Sequence, residues 1–191
     1  MLSVLVIDES RSRAGEICAG LALAGYQVAA ILADAEGLTA EVEKLQPDVI
    51  LIDTDSPSRD TLEHLAAMHK DMPRPVVMFT QEEGQNTIRD AVKAGVSAYV
   101  VDGLDAKRIK PIVDVARASF EEYQSLRKEL DEVSKKLTDR KLVEKAKGVL
   151  MKARGLDEDG AYHALRKLAM ERGQPMVAVA RDVIDMAKLL L

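Results

Sequence analysis

The stretch DVILIDTDS, residues 48 to 56, carries the reading on which the fold turns. A run of Val, Ile and Leu this short and this continuous, followed by Asp53, Thr54, Asp55 and Ser56, is the pattern of a strand buried on both faces that leads into a loop. Four similar runs surround it: LSVLVI (2–7), VAAIL (28–32), PVVMF (75–79) and SAYVV (97–101). Amphipathic stretches of helical length separate them. Strands alternating with helices predict a parallel sheet covered on both faces, a five-stranded doubly wound α/β domain over residues 1–115, with the second strand the weakest of the five. In open sheets of this kind, ligands sit beyond the carboxyl ends of the strands. The residues just after each run are therefore where chemistry is expected.

From about Ile109 the pattern changes to a helix that does not stop for some 40 residues. Leu126, Leu130, Val133 and Leu137 are spaced 4, 3 and 4 apart with charged residues between them, and Tyr123 and Ser119 extend the phase backwards. That spacing predicts a short coiled-coil seam over residues 116–140 and, with it, a homodimer. The seam could instead be one face of a helix lying on its own domain. The remainder, 141–191, reads as a small all-α unit of three helical pieces. The long helix ends at Gly155, Asp157 caps a second helix that ends near Gly173, and Pro175 opens a third. Ala161, Tyr162, Leu165, Leu168 and Ala169 form an apolar stripe on the second, and Val179, Ala180, Val183, Ile184 and Ala187 on the third.

Composition bounds the function. With 47% apolar and 31% charged residues the chain has the makings of packed cores. No stretch approaches the ~20 apolar residues of a membrane span, and MLSVLVIDES has neither a basic n-region nor a cleavage site, so the expected location is the cytoplasm. The single Cys18 has no second thiol for a disulfide or a metal site. The net charge of -5 hides an asymmetry. Residues 1–139 hold 16 Lys/Arg against 25 Asp/Glu, whereas 140–172 hold 9 against 5. An acidic body with a basic segment is expected where only one part of a chain meets a polyanion.

Asp8 and Glu9 follow the first run, Asp53 the third and Thr80 the fourth. Three carboxylates and a hydroxyl at one sheet edge could hold Mg²⁺ and offer an aspartate to a phosphoryl group. Here residues 1 to about 115 resemble the CheY-like receiver family. The resemblance implies that Asp8 and Glu9 are an acidic metal pair, with Asp53 as phosphoacceptor and Thr80 as the hydroxyl that senses phosphate. It also implies a lysine just beyond the fifth strand, yet AYVVDGLDA puts Asp102 and Gly103 there. An anion in place of that cation removes a charge-assisted interaction and repels a phosphoryl group. Two readings follow: phosphorelay signal transduction as in two-component systems, or a pseudo-receiver that docks another protein. The second is preferred, with no cofactor required and Mg²⁺ possible at Asp8, Glu9 and Asp53.

The run EKAKGVLMKARGLDEDGAYHALRKLAMERG (144–173) resembles the ANTAR domain, a three-helix RNA-binding module, at Ala146, Lys147, Gly148, Leu150, Met151, Gly155, Ala161, Tyr162, Leu165, Arg166, Ala169 and Met170. The chain as a whole looks like an ANTAR response regulator. DVILIDTDSPSRD, RPVVMFT and GVSAYVVDGLDA are similar to the NasT group of nitrate and nitrite assimilation antiterminators. That likeness implies leader mRNA stem-loops as target and a NasS-like, nitrate- or nitrite-sensing regulatory protein as partner. Independently of family, Lys141, Lys145 and Lys152 lie close to one helix face, Lys147 and Arg154 add charge, and Arg166 follows Tyr162 by four residues. Cations supply phosphate affinity, and Tyr or Arg can stack on unstacked loop bases. Tyr162 also fits the buried stripe, which leaves its side open.

The expected function is therefore an RNA-binding transcription antiterminator rather than an enzyme. His163 has no nucleophile or metal-ligand partner at a useful spacing. A phosphorylated, DNA-binding response regulator is the alternative. Its third helix offers only Arg181 and Lys188, balanced by Asp182 and Asp185, which is poor major-groove chemistry.

Overall fold

The computed structural model describes residues 1–9, 13–101 and 106–190. Among them five strands alternate with helices: β1 (Ser3–Asp8), α1 (Ala14–Leu23), β2 (Gln27–Leu32), α2 (Leu38–Leu45), β3 (Val49–Asp53), α3 (Arg59–Asp71), β4 (Val76–Thr80), α4 (Gln85–Lys93) and β5 (Ala98–Val101). Three helices follow: α5 (Ala106–Arg154), α6 (Glu158–Arg172) and α7 (Met176–Leu190). The chain divides into two compact units, Met1–Gln124 and Ser125–Leu191.

In the first unit all strand pairs are parallel, in the order β2-β1-β3-β4-β5. Alternation sorts the strand side chains onto two faces. Val4, Val6, Val49, Leu51, Val77 and Phe79 pack with Ile17 and Leu21 of α1 and with Ile109, Val113 and Ala116 of α5. Leu5, Ile7, Ile50, Ile52 and Met78 face α2, α3 and α4 through Leu38, Val42, Leu65, Met68 and Ala91. Both layers are fully buried, as continuous apolar strands require. β2 lies at one edge of the sheet, β5 at the other, and β2 is the more open of the two: its residues are half-buried or exposed, so its sequence carries no requirement for burial on both sides.

Three of the strands, β1, β3 and β4, end one residue later than the runs suggest. Asp8, Asp53 and Thr80 are thus the last residues of β1, β3 and β4 instead of the first residues after them. Asp8 and Asp53 stand opposite one another in register.

In the second unit, Ala146 of α5 packs with Leu165 and Ala169 of α6 and with Val179, Ala180 and Ile184 of α7. The predicted punctuation holds. Gly155 adopts φ +62°, Asp157 accepts a hydrogen bond from the Gly160 N–H at 2.8 Å, and Gly173 closes α6 at φ +60°. Pro175 lies just ahead of α7, its carbonyl accepting from the N–H groups of Ala178 and Val179. No described helix is long and apolar enough to cross a membrane.

Candidate functional site

At the carboxyl edge of the sheet, Asp53 is fully buried and Asp8 nearly so. Burial pushes the Asp53 carboxyl above the usual carboxylate range, because a charge withdrawn from water is disfavoured. The Arg13 guanidinium acts in the opposite direction. Its Nε lies 2.9 Å from Asp53 Oδ2, and its Nη2 lies 3.3 Å from Asp55 Oδ1. The Arg13–Asp53 contact is an ion pair, and neither Asp53 oxygen accepts a well-directed hydrogen bond among the described residues.

The neighbouring polar groups are also engaged within the chain. Thr61 Oγ1 donates to Glu9 Oε1 at 2.6 Å. Thr80 Oγ1 donates to the Asp55 carbonyl at 2.9 Å and accepts from the Glu82 N–H at 3.1 Å. The fold thus brings Asp8, Asp53 and Thr80 to one edge, with Glu9 next to them but turned toward Thr61. The donor atoms are oxygens of the kind Mg²⁺ takes. Their arrangement does not fit the ion, since no group of three or more Asp, Glu, His or Cys among the described residues is close enough to hold one. Of the residues expected to hold magnesium, Asp53 is engaged by Arg13 and Glu9 by Thr61, while Asp8 stands beside Asp53 in register. Asp102 and Gly103, where the sequence lacks the expected lysine, lie outside the described residues. Arg13 itself escaped sequence reasoning. Nothing in its spacing from Asp53, forty residues later, announces the contact.

The second unit collects positive charge around a groove of about 1170 Å³ between the end of α5, α6 and α7. Leu150, Leu168 and Val183 contribute to an apolar floor. Lys145, Lys152 and Arg154 line it from α5, and Lys167 and Arg172 from α6. Lys141 is exposed one turn before Lys145. Among the described residues Lys141, Lys145, Lys152, Arg154 and Arg166 make no ion pair, so their charge is open to solvent. Lys167 lies 3.9 Å from Glu171, and Arg172 pairs with Asp182 at 3.1 Å. The groove cations on α6 were legible in principle. Ala164, Lys167, Leu168 and Glu171 follow the 3-4 spacing of a stripe beside the buried one.

Two predicted residues are placed differently from the rest. Tyr162 is 38% exposed, with the neighbouring His163 ring edge-on to it, so it is outside the core stripe to which its spacing could have assigned it. With Arg166 it lies on the flank of α6 away from the groove. Lys147, grouped by sequence with the basic surface, is 7% exposed and lies between Glu158 at 2.8 Å and Glu144 at 2.9 Å. These carboxylates raise the lysine's pKa, Glu158 foremost, and Lys147 in turn holds the Glu158 carboxyl below its usual range. Its charge is spent on joining α5 to the start of α6.

The geometry agrees with comparison to known proteins. The response regulator receiver domain family matches residues 4–114, and the ANTAR domain family matches residues 131–191. The transcriptional regulatory protein PdtaR of Mycobacterium tuberculosis is 29% identical over 161 residues, 84% of this chain and 78% of that protein. The nitrate regulatory protein of Klebsiella oxytoca is 38% identical over 88 residues, 46% of this chain but 22% of its own length. Among solved structures, a CheY-like receiver domain protein from Methanospirillum hungatei superposes with a TM-score of 0.55 at 20% identity, covering 64% of this chain and 98% of its own.

Proposed function

Since the chain belongs to the response regulator receiver family and joins that domain to an ANTAR domain, a regulatory and non-enzymatic combination, we propose that it is a transcription antiterminator that binds leader-RNA hairpins. The observation that carries this reading is the row of cations Lys141, Lys145 and Lys152 on the end of α5, without an ion pair among the described residues, of which Lys145 and Lys152 line an apolar groove together with Arg154 in an otherwise acidic chain. Solvated, unpaired cations are the ones that can neutralise phosphates and release counterions. Tyr162 and Arg166, exposed on the other flank of α6, offer a ring and a planar cation to unstacked bases.

Dimerisation belongs to the same reading. Leu126, Leu130, Val133 and Leu137 are all more than half exposed along α5, an unpartnered a/d seam that a second copy would cover. Two ANTAR units carried by one coiled coil would engage paired stem-loops with avidity. The similarity to a nitrate regulatory protein supports control of nitrate-responsive genes. On the same reading the protein acts in the cytoplasm, on nitrate or nitrite assimilation genes, and a NasS-like sensor protein releases it. The DNA-binding alternative gains nothing from α7, where Lys188 is paired with Asp185 at 2.8 Å and Arg181 is the one cation without an ion pair among the described residues.

The test is a gel-shift titration of the full chain against RNA carrying two short hairpins, selected from the RNA that co-purifies with it. Wild type is expected to bind. Lys145→Glu/Lys152→Glu should weaken binding and lower the salt slope by about one for each phosphate no longer neutralised. Absent binding, or equal binding by the variant, overturns the reading.

A further inference from the structure

The acidic end of the receiver sheet presents an electrostatic difficulty that the chain solves internally. Asp53 is fully buried beside the nearly buried Asp8, with Glu9 and Asp55 adjoining. A buried carboxylate needs a countercharge, because its desolvation is not offset by packing. The family resemblance places a cation beyond β5, where this sequence has Asp102. The structure supplies one from the other side of the sequence: Arg13, immediately before α1, with its side chain 26% exposed and its guanidinium shared between Asp53 and Asp55.

We propose that Arg13 is the built-in cation of this receiver, closing the acidic edge on Asp53 in place of a divalent metal. A guanidinium is permanently charged and can present separate nitrogens to two carboxylates, so it can hold Asp53 and Asp55 at once. The remaining groups fit that closed arrangement. Glu9 is held by Thr61, and the Thr80 hydroxyl is committed at both its donor and acceptor sides. A divalent ion approaching Asp53 Oδ2 would meet a fixed positive charge 2.9 Å from that oxygen and would have to displace it. Arg13 is thus a specificity-determining residue that makes the site disfavour the metal its carboxylates would otherwise attract. The inference stands apart from RNA binding and gives the pseudo-receiver reading, in which the domain works without phosphate, a residue that causes it.

The experiment measures Mn²⁺ binding to the full chain from the free-ion electron paramagnetic resonance signal, with Mg²⁺ as competitor. It compares wild type, Arg13→Gln, Asp55→Asn and the double variant Arg13→Gln/Asp53→Asn. Removing Arg13 should tighten binding at one site by at least about ten-fold, and Asp53→Asn in the same chain should abolish the gain. Asp55→Asn, which frees one end of the guanidinium, should lie between. Equal affinity in wild type and Arg13→Gln overturns the proposal. If circular dichroism shows Arg13→Gln unfolded, Asp55→Asn decides: a gain of a few fold supports the proposal and no gain overturns it. Acetyl-phosphate labelling of the same proteins separates the two readings, because labelled wild type would refute phosphate independence even where the Mn²⁺ result stands.

Discussion

Lys147 and Lys152 are five residues apart on one helix, and the difference between them is tertiary. Lys147 is enclosed by Glu144 and Glu158, whereas Lys152 is exposed and unpaired among the described residues. Lys147→Met should therefore lower the melting temperature of the C-terminal unit while leaving the salt slope of RNA binding unchanged, whereas Lys152→Glu should reduce that slope by about one. The same pair gives a pH dependence. The Glu158 carboxyl is depressed in the fold by Lys147, so its contribution is present above the ordinary glutamate range and is lost as pH falls through the lower folded value. Thermal melts from about pH 6 down to about 3 should show Glu158→Gln converging on wild type at the acid end. Parallel curves across that range would show that the ion pair adds nothing. The spacing of Lys147 placed it among surface cations because periodicity reports which way a residue points from its own helix. It does not report that the start of α6 lies over it.

Among the elements, α5 is the informative one. From residue 125 to 138 every position is exposed, a run that no packing within the chain explains. A bare helical segment of that length with a 4-3-4 apolar stripe is marginal in water by itself, so its stability is expected to come from pairing. Further along, Gly148 is in mid-helix at the groove, where a Cβ would meet nothing within 4 Å. Gly148→Ala should stabilise by about 1 kcal/mol through helix propensity, raising the melting temperature of so small a unit by about 4–8 °C. A fall in melting temperature would show that the open space is filled in solution. The boundaries of α6 were legible because caps are local: Asp157 and Gly173 act on backbone groups within a few residues of themselves. The exposure of Tyr162 was not legible, since a residue at the margin of a stripe is buried or bare according to the angle at which the neighbouring helix crosses.

For the whole molecule, the two units should differ in how they respond to concentration. The receiver has two full core layers of its own, whereas the C-terminal unit has one small cluster. Small units of that kind are marginal unless something is added. If α5 pairs with a second copy, the melting of the C-terminal unit rises with protein concentration and that of the receiver does not. Leu130→Asp should remove the concentration dependence and convert the species seen by sedimentation from dimer to monomer. A wild-type chain that sediments as a monomer at all concentrations would refute the pairing.

Sequence alone determined the alternation of buried strands and helices, the change of period at α5, the helix stops at Gly155 and Gly173, and the contrast between an acidic body and a basic segment. Each depends on periodicity, caps or summed charge, which are properties of neighbours along the chain. Only the tertiary structure decided which charges remain free. It brought Arg13 onto Asp53 and Asp55 across forty residues, and closed Glu144 and Glu158 on Lys147. It also set Lys167 and Arg172 opposite Lys145 and Lys152 across a groove. Whether a charge is available to a metal or a phosphate depends on which countercharge lies within a few ångströms, and that distance is fixed by packing between segments remote in the chain.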